Sequence, residues 1–126
     1  MSVIGIGTDI INIKRIEKIL KSNYQNFLNH ILHKKEKSKK KLSAEFISKK
    51  FAAKEAFSKA IGTGIGNTIN FNDILIDHDK YGKPVIKLDV KIKKKVLKKL
   101  KVKKANFLVS ISDDYPFALA TVVISK

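Results

Sequence analysis

The chain has 126 residues, with 27 Lys and Arg against 11 Asp and Glu, a net charge of +16 and a hydrophobic fraction of 44%. That length suits one domain spanning residues 1–126, and the apolar content argues against wholesale disorder. The absence of cysteine excludes disulfides, zinc-thiolate sites and thiol nucleophiles. No apolar stretch approaches the ~20 residues that span a bilayer, and the first residues lack the pattern of a secretory signal, so a soluble, cytoplasmic protein with no membrane partner is expected.

Residues 2–13 are nearly uncharged and rich in Ile and Val, which predicts a buried strand running into a turn at Gly7-Thr8-Asp9. From Asn12, Ile13, Ile16, Ile19 and Leu20 follow helical spacing, with Lys14, Arg15, Lys18 and Lys21 between them. A second helical stretch carries Tyr24, Phe27, Leu28, Ile31 and Leu32 down to a lysine-rich segment, 34–41, which is either a solvated loop or a helix end. A third helix is expected from an N-cap at Ser43 to Ile61, stopped by Gly62-Thr63-Gly64.

Residues 71–77 alternate as a strand, Asp79-Lys80-Tyr81-Gly82 supplies a turn, and 84–90 returns with Ile86, Leu88 and Val90 on one face. Residues 91–100 read as an amphipathic helix with Ile92, Val96 and Leu100 on its stripe. Residues 106–112 and 117–125 form a second hairpin about Asp113-Asp114-Tyr115-Pro116. The order predicts an α+β fold, a small antiparallel sheet with a long packed helix.

The third helix carries the chemistry. At ~100° per residue, Phe46, Ala53, Phe57, Ala60 and Ile61 face one side, while Glu55 and Lys59 lie four residues apart on the other. Ala52 and Ala56 flank that pair, and their small side chains predict an open, shallow pocket above the helix. The same spacing also fits an ordinary surface pair that stabilises the helix by ~0.2–0.5 kcal/mol. Asp9 sits inside an apolar stretch and needs a partner. A local Asx turn supplies one; a metal shared with Glu55 is the other reading, since two carboxylates suit a hard cation such as Mg²⁺ that takes further ligands from substrate phosphates. The glycines from Gly62 follow a helix, so they read first as a C-cap, although bare backbone there also admits a ligand. His30, His33 and His78 show no metal-ligand spacing.

Four stretches taken together resemble the holo-acyl-carrier-protein synthase family of 4′-phosphopantetheinyl transferases. They are Gly5-Ile6-Gly7-Thr8-Asp9-Ile10 with Arg15-Ile16-Glu17; Phe51-Ala52-Ala53-Lys54-Glu55-Ala56-Phe57-Ser58-Lys59-Ala60 with Gly62-Thr63-Gly64; Gly82-Lys83-Pro84; and Val109-Ser110-Ile111-Ser112 with Ala118-Leu119-Ala120. The resemblance implies a 4′-phosphopantetheinyl transferase-like fold. It also implies Mg²⁺-dependent transfer of 4′-phosphopantetheine from coenzyme A to a serine of apo-acyl carrier protein, releasing adenosine 3′,5′-bisphosphate.

By the same resemblance Asp9 and Glu55 are metal ligands, Lys59 contacts the pyrophosphate and all three are catalytic. Lys50 and Gly62 bind coenzyme A with Lys59, and Arg15 meets the acidic carrier protein. The family is typically a homotrimer with active sites between subunits. Two departures stand out: Leu108 where the family often has histidine, and Lys50 where it usually has arginine, which keeps the charge and loses the two-pronged grip on phosphate. Lys14, Lys18 and Lys21 with Arg15 would steer an acidic carrier protein. The competing reading is a small basic nucleic-acid-binding module, supported by nine lysines among residues 91–104 but by one arginine in the chain and no interleaved aromatic platform. No specific nucleic acid is expected.

Overall fold

In the computed structural model, which describes residues 2–38 and 40–126, the first strand, β1 (Val3–Asn12), runs straight through Gly7-Thr8-Asp9, where the sequence predicts a turn. Packing explains the difference. A Cβ on Gly7 would collide with the Ala56 carbonyl oxygen, and one on Gly5 with that of Ala60. These glycines therefore serve a close approach between strand and helix, and no chain reversal occurs there.

Asn12 caps α1 (Ile13–Ile31) by accepting the Lys14 N–H at 3.0 Å. The two predicted helical stretches are both present, separated by non-helical backbone at Asn23. The segment 34–41 begins with a turn; Lys39 lies outside the described residues. Ser43 then accepts the Phe46 N–H at 3.1 Å and starts α2 (Ala44–Ile61). Gly62, in the left-handed region at φ +91°, ends it, and the Ser58 carbonyl accepts the N–H groups of Gly62, Thr63 and Gly64.

The expected strand 71–77 begins instead with one 3₁₀ turn, Phe71–Asp73, because the Asp73 carboxylate turns back to accept the Asn70 N–H at 2.9 Å. Only β2 (Leu75–His78) is extended, and it pairs antiparallel with β3 (Pro84–Lys87) across the Asp79–Gly82 turn. The predicted return strand stops three residues early. Asp89 accepts the Ile92 N–H at 2.9 Å, which makes it the N-cap of α3 (Val90–Leu100), so Val90 belongs to a helix. The second hairpin is longer than predicted: β4 (Asn106–Asp114) and β5 (Phe117–Ser125) stay paired up to Tyr115-Pro116, whose peptide bond is cis.

β5 lies between β1 and β4, all antiparallel, and β2–β3 form a separate ribbon. The core lies between the inner face of the three-stranded sheet and α2. Ala118, Ala120, Val122 and Ile124 of β5 meet Ala53, Ala56, Phe57 and Ala60, and Phe57 packs edge-on to Phe107 at 5.2 Å between ring centres. Burying Phe57 fully stabilises the fold by about 1.5–3 kcal/mol. A second part of the core joins Ile16, Ile31, Ile47, Ile69, Ile74 and Ile76 between α1, α2 and β2.

α2 covers only one face of the sheet. On the other, Ile6 and Ile10 are 68% and 63% exposed, so β1 is half-buried in the isolated chain, contrary to the fully buried strand that its composition predicts. No helix among the described residues is long and apolar enough to cross a membrane. The architecture is the predicted α+β class, small antiparallel sheets with a long packed helix.

Candidate active site

β1 is an edge strand, and its period-two alternation sets Asp9 on the inner face with Gly5, Gly7 and Ile11. Because the two glycines let α2 press against the strand, Asp9 reaches the flank of the helix from which Glu55 and Lys59 emerge one turn apart. The Lys59 ammonium donates to Asp9 Oδ1 at 3.2 Å and to the Thr8 carbonyl at 3.0 Å. The Asp9 side chain is 15% exposed and that of Lys59 52%, so the pair sits at the lip of the core. Asp9 lies mid-strand with a lysine partner, which removes the Asx-turn reading.

Glu55 is half-buried beside them. Burial, first, and the charge of Asp9, second, push its carboxyl pKa above the ordinary value, while Lys59 and Arg15 pull it down. The sequence-predicted triad therefore converges, with Arg15 near enough to act on Glu55 from the first turn of α1. The surroundings differ from expectation. Ala52 and Ala56 are fully buried, so the open pocket predicted over them is absent; over Ala56 the space is taken by Gly7 of β1. What remains is an exposed shelf along the edge of β1.

A half-buried carboxyl whose ionisation is made costlier by burial and by the charge of Asp9, with the Lys59 ammonium on Asp9, belongs to a donor set that a hard divalent cation relieves. Asp9 and Glu55 thus fit the Mg²⁺ that the family resemblance implies, with remaining positions left to water and phosphate oxygens. No cluster of three or more acidic, His or Cys side chains converges there among the described residues.

The other predicted site residues divide into two groups. Lys14, Arg15 and Lys18 are all exposed along α1, and none joins an ion pair among the described residues. Lys50 stands apart from the triad. It is 5% exposed, donates to the Ile76 carbonyl at 2.5 Å and lies over the Phe46 ring, and burial lowers its pKa. It lines a cleft of about 260 Å³ with Phe46, Lys49, His78, Gly82 and Pro84. Gly62 has open space where a Cβ would stand, and its N–H is spent on closing α2. Leu108 is 48% exposed on the outer sheet face.

Sequence reasoning missed one feature. Lys54, the neighbour of Glu55, is fully buried and paired with Glu36 from the lysine-rich segment. Burial lowers the Lys54 pKa to about 8 even though Glu36 acts to raise it. A signal existed: Lys54 falls at helical spacing with the core positions Phe57 and Ile61, and a lysine there requires an acid.

The 4′-phosphopantetheinyl transferase superfamily pattern matches residues 5–120. A holo-[acyl-carrier-protein] synthase of Pelagibacter ubique is 45% identical, with 100% of this chain and 99% of that protein aligned. The crystal structure of the Neisseria meningitidis holo-[acyl-carrier-protein] synthase, 37% identical, superposes with a TM-score of 0.84 over 99% of this chain and 100% of that one. The Helicobacter pylori synthase, solved in complex with coenzyme A, is 36% identical with a TM-score of 0.79, covering 95% of this chain and 99% of that one. With its motifs, its fold and its full length in agreement, the chain belongs to the holo-acyl-carrier-protein synthases of the 4′-phosphopantetheinyl transferase superfamily.

Proposed function

We propose that this transferase moves 4′-phosphopantetheine from coenzyme A to a serine hydroxyl of an acidic apo-acyl carrier protein, releasing adenosine 3′,5′-bisphosphate in a Mg²⁺-dependent reaction. The convergence of Asp9, Glu55 and Lys59 on one exposed shelf carries this reading. The coenzyme A bound by the Helicobacter pylori relative supports coenzyme A as the donor.

The serine oxygen attacks the phosphorus on the pantetheine side of the pyrophosphate, and the bond from that phosphorus to the bridging oxygen breaks. The departing bisphosphate keeps that oxygen and its electron pair. Glu55, half-buried beside Asp9 and Lys59, accepts the serine proton. Lys59, half exposed at the lip, offsets charge growing on the leaving group. Asp9 holds Lys59 in position and, with Glu55, would hold Mg²⁺, which when bound offsets negative charge on the phosphate oxygens. Phosphoryl transfer depends mainly on such positioning and charge stabilisation.

The proposal includes a homotrimer with active sites between subunits. Its support is the uncovered outer face of the sheet, where the pairing register aligns Ile6, Val123 and Leu108 in one row across three strands and Ile10 with Leu119 in another. Incubation with coenzyme A, apo-carrier protein and Mg²⁺ tests the reaction: adenosine 3′,5′-bisphosphate should appear one for one with holo-carrier protein. Release of the bisphosphate without any carrier modification would mean a hydrolase instead.

A further inference from the structure

Lys54 is fully buried one residue before Glu55, and no step proposed above uses it. Its ammonium donates to Glu36 Oε1 at 2.5 Å and to the Ile31 carbonyl, the last residue of α1, at 2.8 Å. The same Glu36 oxygen accepts the His33 N–H at 2.9 Å, and the other, Oε2, accepts the Ile76 N–H at 2.8 Å. One turn back on α2, Lys50 donates to the Ile76 carbonyl at 2.5 Å. Both backbone polar groups of Ile76 are thus held by side chains of opposite charge.

This arrangement replaces a strand. β2 pairs with β3 on one side only, and the Ile76 N–H and carbonyl belong to its free edge, where an unpaired backbone would otherwise be buried without partners. Glu36 and Lys50 supply the missing partners, and Lys54 neutralises Glu36 while tying it to α1. An apolar pair could fill the same volume but would fix no register along the strand; a carboxylate held by three donors does.

What the staple positions is the β2–β3 hairpin, which brings His78, Gly82 and Pro84 to the cleft shared with Phe46, Lys49 and Lys50. We infer that Glu36 and Lys54 are positioning residues for coenzyme A binding, setting the hairpin against α2 so that this cleft is preformed for part of the nucleotide. The inference rests on the coenzyme A reading above and deepens it. It assigns the pair to affinity for the donor, and neither to the chemical step nor to carrier-protein docking.

The test compares the wild type with the double variant Glu36→Gln/Lys54→Met, which removes the two paired charges together, so that neither is left buried without the other. In the folded double variant the KM for coenzyme A, and its Kd measured without carrier protein, should rise about tenfold, while kcat and the carrier-protein KM stay within about twofold. Amide exchange should quicken at Ile76 and through 75–87 but not through α2. A folded variant with unchanged coenzyme A KM and Kd overturns the inference, as does a fall in kcat with KM unchanged, which would place the pair's effect on Glu55. Should the double variant not fold, Glu36→Asp carries the same criteria, because it keeps the charge and shortens the reach. A wild type that neither binds coenzyme A nor modifies a carrier protein would defeat the functional reading; a wild type that does both, matched by its variants, would defeat this inference alone.

Discussion

Asp9 occupies an inward position of β1 that alternation would otherwise fill with an apolar side chain, and Glu55 lies half-buried beside it. The raised pKa of Glu55 has two measurable consequences. In the folded state the carboxyl holds its proton more tightly than in the unfolded chain, so its contribution favours folding at low pH and is lost as pH rises through the folded value. Glu55→Gln, which removes that charge at constant shape, should therefore raise the melting midpoint at pH 7 by roughly 1–3 °C while lowering turnover by about 100-fold or more. A melting point that falls, or turnover that survives under saturating Mg²⁺, contradicts the assignment.

For activity, the ionised form is the one that binds a cation or accepts a proton. The acid limb of kcat against pH should thus lie above the ordinary glutamate range at low Mg²⁺ and move to lower pH as Mg²⁺ is added. A limb that ignores Mg²⁺ would speak against Asp9 and Glu55 as its ligands.

At the scale of elements, the contact of β1 with α2 brings the triad together, and glycine is its requirement. Gly7→Ala should cost about 2–4 kcal/mol in urea unfolding, because the new methyl meets helix backbone. Gly62→Ala meets nothing and should cost only the ~1–2 kcal/mol of a left-handed residue. The reverse ranking would place the glycine requirement at the cap. This contact also explains what the sequence hid. Gly-Thr-Asp has turn chemistry, and only the position of α2 shows why glycine is needed in an extended strand.

The caps were legible where a side chain meets its own helix: Ser43 and Gly62 bound α2 as spacing and residue type imply. Asp89 was not, since Ile86, Leu88 and Val90 continue a strand pattern across a residue that in fact starts a helix. Glu55, Lys59 and Asp9 could be singled out by type and spacing. Glu36 could not, because the lysines around it mark the segment as solvated, and its partner lies on an element 18 residues away.

For the whole molecule, family membership accounts for the shelf at the edge of β1 and leaves the nucleic-acid module without support. On the proposed function, the basic face of α1 is where an acidic carrier protein would be steered. Lys14, Arg15 and Lys18 are exposed on α1, with Arg15 near enough to act on Glu55, so raising salt from low to physiological ionic strength should increase the carrier-protein KM several-fold while the coenzyme A KM changes less. Equal changes would argue against steering. On the opposite face of the sheet, Ile6→Glu places a charge in the exposed apolar row and should convert a trimer to monomers in sedimentation; a wild-type chain that sediments as a monomer would remove the shared-site arrangement.

The central claim is that Asp9 and Glu55 jointly hold the cation that phosphopantetheine transfer requires. Intact-mass measurement of apo-carrier protein after incubation with this protein and coenzyme A tests it most directly, run with Mg²⁺, with chelator, and with the Asp9→Asn variant. The account predicts a gain of one phosphopantetheine only for the wild type with Mg²⁺, and near-complete loss of that gain in the other two. The same gain under chelation, or from Asp9→Asn at the wild-type rate, would contradict it.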